Sequence, residues 1–200
     1  DITNAGEQRA NIKTEAGELR LTAVGEQAQT VPLTGEPGNI GGGGLAVEQS
    51  DLDVSGNGGG NVYLRAADIV FRGDDATDAT LYADNSGEQA ASGGIDIVGD
   101  SLLLESGYIS TDVFGSGRGG QIRIQLTDIL QVLDGGTISS NPYSQGDAGK
   151  IVITAKEILV STQGAENMSN IGSNALVGST GDAAKITLTI GERLQVVNGG

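Results

Sequence analysis

The chain has 200 residues, carries 26 acidic and 11 basic residues for a formal net charge of −15, and contains neither cysteine nor histidine. The missing residue types exclude disulfide bonds, thiolate chemistry, histidine-ligated metals and a Ser-His-Asp triad, and the charge argues against nucleic acids and anionic membranes as partners. Aromatic residues make up only 3%, so a core must be built from Ile, Leu, Val and Ala, which suit a narrow, regular interior.

The N-terminal region, residues 1–58, alternates like β-strands in two places, "ANIKTEAGELRLTA" and "GGGGLAVEQSDLDV". The segment between them is irregular and holds two of the three prolines. We interpret this region as one or two less regular rungs of the repeat that follows, or as a lateral extension of it.

Residues 59–200 repeat. Segments that open with a Gly-Gly, Ala-Gly or Ala-Ala pair start at residues 59, 93, 119, 148 and 183, and a period of about 20 to 50 residues is typical of a solenoid. Each segment begins with a strand that has two alternating apolar positions: Val62 and Leu64, Ile95 and Ile97, Ile122 and Ile124, Ile151 and Ile153, Ile186 and Leu188. A second strand follows: Ile69–Phe71, Leu102–Leu104, Leu130–Val132, Ile158–Val160, Leu194–Val196.

A third short element completes each rung, at 81–84, 109–112, 138–141 and 171–174. The length varies mainly between the second and third strands, and helical periodicity is missing. Three strands per rung with variable loops predict an all-β protein, a parallel β-helix over residues 59–200. The ending "LQVVNGG" matches "LQVLDGG", which continues into a third strand, so we expect the sequence to stop in mid-rung and to belong to a longer protein.

The segment "GSGRGG" at 115–120 fits the G-x-G-x-x-G pattern of a dinucleotide-binding loop. That fingerprint requires a helix to begin after the glycines, whereas "QIRIQL" alternates like a strand. We therefore predict a turn between two rungs, in which glycine supplies a positive φ in a tight corner.

Acidic residues form two candidate Ca²⁺ sites. Asp84 and Asp112 end successive third strands, in one column with Asn141 and Asn174, and neighbouring carboxylates suit Ca²⁺. The alternative, which we favour, is a ladder in which these side chains accept hydrogen bonds from the turning backbone. Asp74, Asp75 and Asp78 in the loop "GDDATDAT" are the second candidate site, and the alternative there is a solvated acidic loop. No other cofactor is predicted.

Outward positions of the first strands stack Tyr63, Asp96, Arg123, Val152 and Thr187. Asp96 beside Arg123 resembles part of a polysaccharide lyase site, and the alternative is a cross-rung salt bridge. A single acid does not make a hydrolase or lyase centre, so we predict no catalytic residue. Phe114 and Tyr143 occupy equivalent turns and could contact a glycan or a protein partner, or lie back over the rim of the core.

The repeat "GGQIRIQLTDILQVLDGGTISSNPYSQGDAGKIVITAKEILV" resembles the repeat region of filamentous-haemagglutinin-like exoproteins of two-partner secretion systems. The resemblance covers about residues 39–200. It implies a right-handed parallel β-helix, export through a Sec signal and an outer-membrane transporter, and a role as a surface fibre or adhesin. It also implies why cysteine is avoided, since a chain that threads a pore should not cross-link.

These observations predict a segment of a secreted or cell-surface structural or adhesive β-helical shaft that is not an enzyme. Its expected partners are the transporter during export and then a host surface, a neighbouring cell or matrix. Two alternatives stay open: a polysaccharide-active or carbohydrate-binding β-helix, and a filament subunit that assembles end to end with copies of itself.

Overall fold

The computed structural model describes residues 2–3, 10–25, 42–74, 76–162 and 168–200, and within these ranges it consists of strands and connections without a helix. The strands are β1 (Ile2–Thr3), β2 (Asn11–Lys13), β3 (Glu18–Thr22), β4 (Gly44–Glu48), β5 (Asp51–Asp53), β6 (Asn61–Arg65), β7 (Asp68–Arg72), β8 (Ala79–Tyr82), β9 (Gly94–Gly99), β10 (Ser101–Glu105), β11 (Gly107–Ser110), β12 (Gln121–Leu126), β13 (Ile129–Leu133), β14 (Thr137–Ser139), β15 (Ile151–Ser161), β16 (Asn170–Gly172) and β17 (Ile186–Val197).

The strands lie in three parallel columns. The first column runs β3-β6-β9-β12 and the second β1-β4-β7-β10-β13, and the long strands β15 and β17 pass through both and join them into one 11-stranded sheet. The third column, β2-β5-β8-β11-β14-β16, is a separate six-stranded sheet. The chain visits the three columns in the same order each time and returns one strand further along.

The pairing is parallel throughout the columns and in register, apart from one register shift between β15 and β17 at Ala155–Glu157. Ile95 pairs with Val62 on one side and with Ile122 on the other, and Ile109 lies between Leu81 and Ile138 in the third column. Equivalent positions of successive repeats are therefore neighbours in space. This confirms the predicted all-β class with parallel strands and is compatible with the predicted β-helix.

The core lies between the columns and is built from the predicted apolar positions. Both apolar residues of the first strands are buried in β6, β9, β12 and β15, as are the inward residues of β7, β10 and β13. In β17, Ile186 is 37% exposed, because β17 pairs only with β15. Phe71 is the one aromatic side chain in the buried core of the described residues, in keeping with an aliphatic interior.

Two boundaries differ from the prediction. The third strands begin earlier than expected, at Ala79, Gly107, Thr137 and Asn170, and the polar residue that was predicted to end each strand lies beyond it in the turn. The first and second strands of the repeat at residue 151 are a single strand, β15, whereas two residues separate β6 from β7 and β12 from β13. Alternation alone does not distinguish a bend from a continuous strand.

The "GSGRGG" segment is a turn between β11 and β12, as predicted, but the predicted reason for its glycines is wrong. None of Gly115, Gly117, Gly119 and Gly120 has a positive φ. A Cβ atom on Gly115 would overlap the backbone of Gly87, and one on Gly117 would overlap the carbonyl oxygen of Gln89. Glycine is required because the turns of neighbouring rungs lie backbone against backbone.

Replacing a glycine at such a contact should destabilise the protein. In Gly149→Ala the new methyl group would overlap the carbonyl oxygen of Gly120, and we expect the free energy of unfolding to fall by about 2 to 3 kcal/mol. Gly44→Ala is the matched control, because its added Cβ would lie 3.8 Å from the Asp68 carbonyl oxygen, the nearest atom outside its chain neighbours, and it should change stability by less than about 0.5 kcal/mol. Urea denaturation measures both, and equal stabilities would contradict the close approach.

Candidate functional site

The predicted column of acidic and amide side chains forms a hydrogen-bonded ladder at the corner after the third column. Asp84 Oδ1 accepts hydrogen bonds from Ser110 Oγ (2.5 Å) and from the backbone N–H of Asp112 (2.7 Å). Asp112 Oδ1 accepts the equivalent bonds from Ser139 Oγ (3.1 Å) and Asn141 N (2.7 Å). Asn141 Oδ1 accepts the N–H of Asn174 at 2.8 Å. Each side chain thus caps the backbone of the next rung.

Burial raises the pKa of both carboxyl groups in this ladder. The pKa of Asp84 rises to about 6, chiefly because burial disfavours the charged form, and the neighbouring Asp112 charge raises it further while the Ser110 hydrogen bond acts in the opposite direction. Burial also raises the pKa of Asp112, against the hydrogen bonds from Asn141 and Ser139. The ladder therefore contains carboxylates that are costly to ionise at neutral pH.

The two candidate Ca²⁺ sites stay predictions, and the geometry shows what their oxygens already do. Asp84 and Asp112 use one carboxylate oxygen each for two hydrogen bonds. Asp74 Oδ1 accepts the N–H groups of Ala76 and Thr77, at 2.9 and 2.7 Å, which closes the loop. Asp78 lies just before β8, and Asp75 lies outside the described residues. No group of three or more acidic side chains suited to a metal occurs in the part of the chain that the structure describes.

The raised pKa of Asp84 predicts a pH-dependent stability. The folded-state pKa of Asp84, about 6, exceeds its ordinary value of 3.8. Ionisation of Asp84 therefore lowers the free energy of unfolding by its full amount above pH 6, and this loss disappears as the pH falls towards 4. Asp84→Asn should therefore increase the free energy of unfolding by about 2 kcal/mol at pH 7 and by little near pH 4. Denaturant melts between pH 4 and 7.5 test this.

The reverse substitution provides the matched control. Asn141→Asp places a second carboxylate beside Asp112, whose Oδ2 accepts a hydrogen bond from Asn141 Nδ2 at 3.4 Å, and should destabilise the protein at pH 7 more than at pH 4. A less stable Asp84→Asn variant at pH 7 would contradict the role assigned to burial.

The predicted outward stack on the first column is present in register: Tyr63 beside Asp96, Asp96 beside Arg123, and then Val152 and Thr187. Asp96 Oδ2 accepts a hydrogen bond from Arg123 Nη2, so the cross-rung salt bridge exists. It has a second partner that sequence analysis did not identify: Arg65 is 1% exposed, lies 3.3 Å from Asp96 Oδ2 and donates to the Asp96 carbonyl oxygen at 2.9 Å.

Asp96 is the shared counterion of two guanidinium groups, and one of them is fully buried. Removing its charge takes away the carboxylate that faces the buried Arg65 guanidinium, so Asp96→Asn should lower the free energy of unfolding by about 3 kcal/mol. Glu105→Gln removes the acid of the exposed Arg72–Glu105 pair, 2.7 Å apart, and should cost less than about 1 kcal/mol. Thermal and denaturant unfolding measure the free energy of unfolding that each variant loses. Equal losses would show that the Asp96 ion pairs are not desolvated.

Phe114 and Tyr143 stack on each other across two rungs. Their ring centroids lie 4.6 Å apart with an interplanar angle of 24°, and the residues are 50% and 42% exposed. The pair therefore uses ring faces for a contact within the protein and presents its remaining surface to solvent. Contact with a glycan or partner at these residues stays a prediction.

An open groove of about 510 Å³ runs beside the outward stack. Its polar and charged lining includes Tyr63, Asp96, Arg118, Gln121, Arg123 and Lys150, and the turns that precede the first-column strands contribute glycine backbone. Among the residues that the structure describes, Asp96 is the only acid in this lining. Sequence analysis assessed the "GSGRGG" segment only for its glycines and so did not single out Arg118, and Lys150 stands at no apolar-periodic position.

Comparison with known proteins does not assign the chain to a family. No protein-family model matches it, and no significant match was found among curated proteins or solved structures. A membrane-spanning helix is not among the elements that the structure describes.

Proposed function

We propose that the chain is a section of a right-handed parallel β-helical shaft, exported and displayed outside the cell, with a structural and adhesive role. The observation that supports this most is the in-register parallel pairing of equivalent positions in all three columns. In a β-helix each rung must superpose on the previous one, while its loops are free to differ in length.

The stacked interior suits a load-bearing rod. Aliphatic side chains fill the interior, backbone hydrogen bonds connect each rung to the next, and the corner ladder adds side-chain bonds in the same direction. Because every rung repeats these contacts, the stability of the shaft grows with the number of rungs rather than with a single large core.

The resemblance to filamentous-haemagglutinin-like exoproteins supports an export route through an outer-membrane transporter and a destination on a host surface, a neighbouring cell or matrix. The absence of cysteine from the sequence agrees with passage through a narrow pore. End-to-end assembly of separate copies is the variant of this proposal in which the shaft is built from subunits.

A polysaccharide-active enzyme is the second candidate, and the groove is the observation that favours it. The described part of its lining contains a single acid, Asp96, which is paired with Arg65 and Arg123. Hydrolysis with two carboxylates on either side of a glycosidic bond needs a second acid, so the shaft is the stronger proposal.

Electron microscopy and intact mass of the native protein test the shaft proposal. We expect thin unbranched rods at the cell surface, with a mass far above the 20.2 kDa of this sequence and a length that increases by about 4.8 Å per rung. Rods built from chains near that mass would support the subunit variant instead. Compact particles inside the cell would contradict the proposal.

A further inference from the structure

Among the described residues, the cations without an ion pair are concentrated at one corner of the fold. Arg118, Lys150 and Lys185 are exposed and have no ion pair among the described residues. The other lysines and arginines that the structure describes are paired with acids: Lys13–Asp53, Arg20–Glu18, Arg65–Asp96, Arg72–Glu105, Arg123–Asp96, Lys156–Glu192 and Arg193–Glu157. The chain has a net charge of −15. If this corner served only to keep the protein soluble, cations without an ion pair would not be expected to collect there.

Two of these cations line the groove. Lys150 stands beside Gln121, because Ile122 pairs with Ile151, and Arg118 lies three residues before Gln121, within about 11 Å along the chain. Asp147 lies near Arg118 on the neighbouring rung, because the N–H of Gly119 donates to the Asp147 carbonyl oxygen. Asp147 is not in the groove lining, and its Oδ1 accepts the N–H of Asp182 at 2.9 Å. Both cations are therefore available to a ligand.

The wall of the groove does not cancel this positive charge. Asp96, the one acid among the described residues of the lining, already pairs with Arg65 and Arg123. Arg118 and Lys150 add two more positive charges at the same groove. The result is a local excess of positive charge in an acidic protein, which favours a ligand with an oxyanion group.

The other features of the groove favour a sugar as the carrier of that oxyanion. The first-column strands that border it, β6, β9 and β12, are paired on both sides, so no free edge is present for a peptide strand. Gln121 and the glycine backbone offer hydrogen-bond donors and acceptors that match hydroxyl groups.

We propose that this groove binds an acidic oligosaccharide, whose carboxylate or sulfate group pairs with Arg118 and Lys150 while its hydroxyl groups contact Gln121 and the glycine backbone. The volume of about 510 Å³ lies within the ordinary range of about 300 to 1,000 Å³ for small-ligand sites. This inference deepens the adhesive part of the proposed function, because it names the chemical class that the shaft wall recognises.

Calorimetric titration of the full-length protein tests the proposal with oligosaccharides of equal length. The probes are a uronic acid oligomer, a sulfated oligomer and a neutral glucan oligomer, and the first two arms distinguish the two sources of the oxyanion. We expect binding of at least one acidic oligomer and no measurable binding of the neutral one. Arg118→Gln and Lys150→Gln should each weaken that binding about tenfold, since each removes a charge-assisted contact.

Lys185→Gln is the matched control. Lys185 stands one strand beyond Lys150 in the same column and is also exposed, but it is not in the groove lining, so the affinity should change less than about twofold. The proposal is overturned if neither acidic oligomer binds, if the neutral oligomer binds equally, if oligothymidylate or an acidic peptide binds more tightly, or if all three variants weaken binding alike. Rods in the electron microscope without oligosaccharide binding would leave the shaft proposal intact.

Discussion

In-register parallel pairing is the constraint on which the rest of the structure depends. Because each residue lies beside the equivalent residue of the next rung, a side chain that is acceptable at one position must also be acceptable against near copies of itself. Aliphatic residues meet this requirement inside the columns, since they interdigitate without directional bonds. Glycine meets it in the turns, where the backbone of one rung approaches that of the next.

Charged residues meet the same constraint with more difficulty, because stacking brings like charges together. The protein resolves this in two ways. At the corner, Asp84 and Asp112 lie on adjacent rungs, and each is stabilised by N–H and O–H donors rather than by a cation. On the first column, Asp96 alternates with arginine, so that opposite charges are neighbours. Arg118 and Lys150, which have no ion pair among the described residues, are the exception to this pairing, and for that reason we propose that they bind a ligand.

The strands and their columns could be predicted from the sequence, since alternation and the glycine pairs repeat with the period of the fold. Ile122 and Ile124, for example, are predicted and observed in the core, and the stack of Tyr63, Asp96 and Arg123 follows from the register. The role of the turn glycines could not be predicted, because close approach of two backbones depends on neighbouring rungs and leaves no local signal.

Arg65 shows the same limit at the groove. It follows Leu64 at an outward position of the strand, where alternation predicts exposure, and it is buried because its side chain reaches Asp96 on the next strand. Arg118 and Lys150 could be seen in the sequence only as two charges in glycine-rich turns. Their shared position depends on three-dimensional register, and the absence of an ion pair to either of them among the described residues depends on where the acids lie.

Distance measurement between spin labels tests the register most directly, and the absence of native cysteine permits labels at chosen sites. Thr22, Arg65, Val98, Gln125, Thr154 and Thr189 are successive neighbours on the first column. With steps of about 4.8 Å, the backbones of Thr189 and Val98 should lie about 14 Å apart, and those of Thr189 and Thr22 about 24 Å apart. Label distances that differ by about 10 Å between the two pairs would agree with the stacked columns. Equal distances, or broad distributions without a maximum, would contradict them.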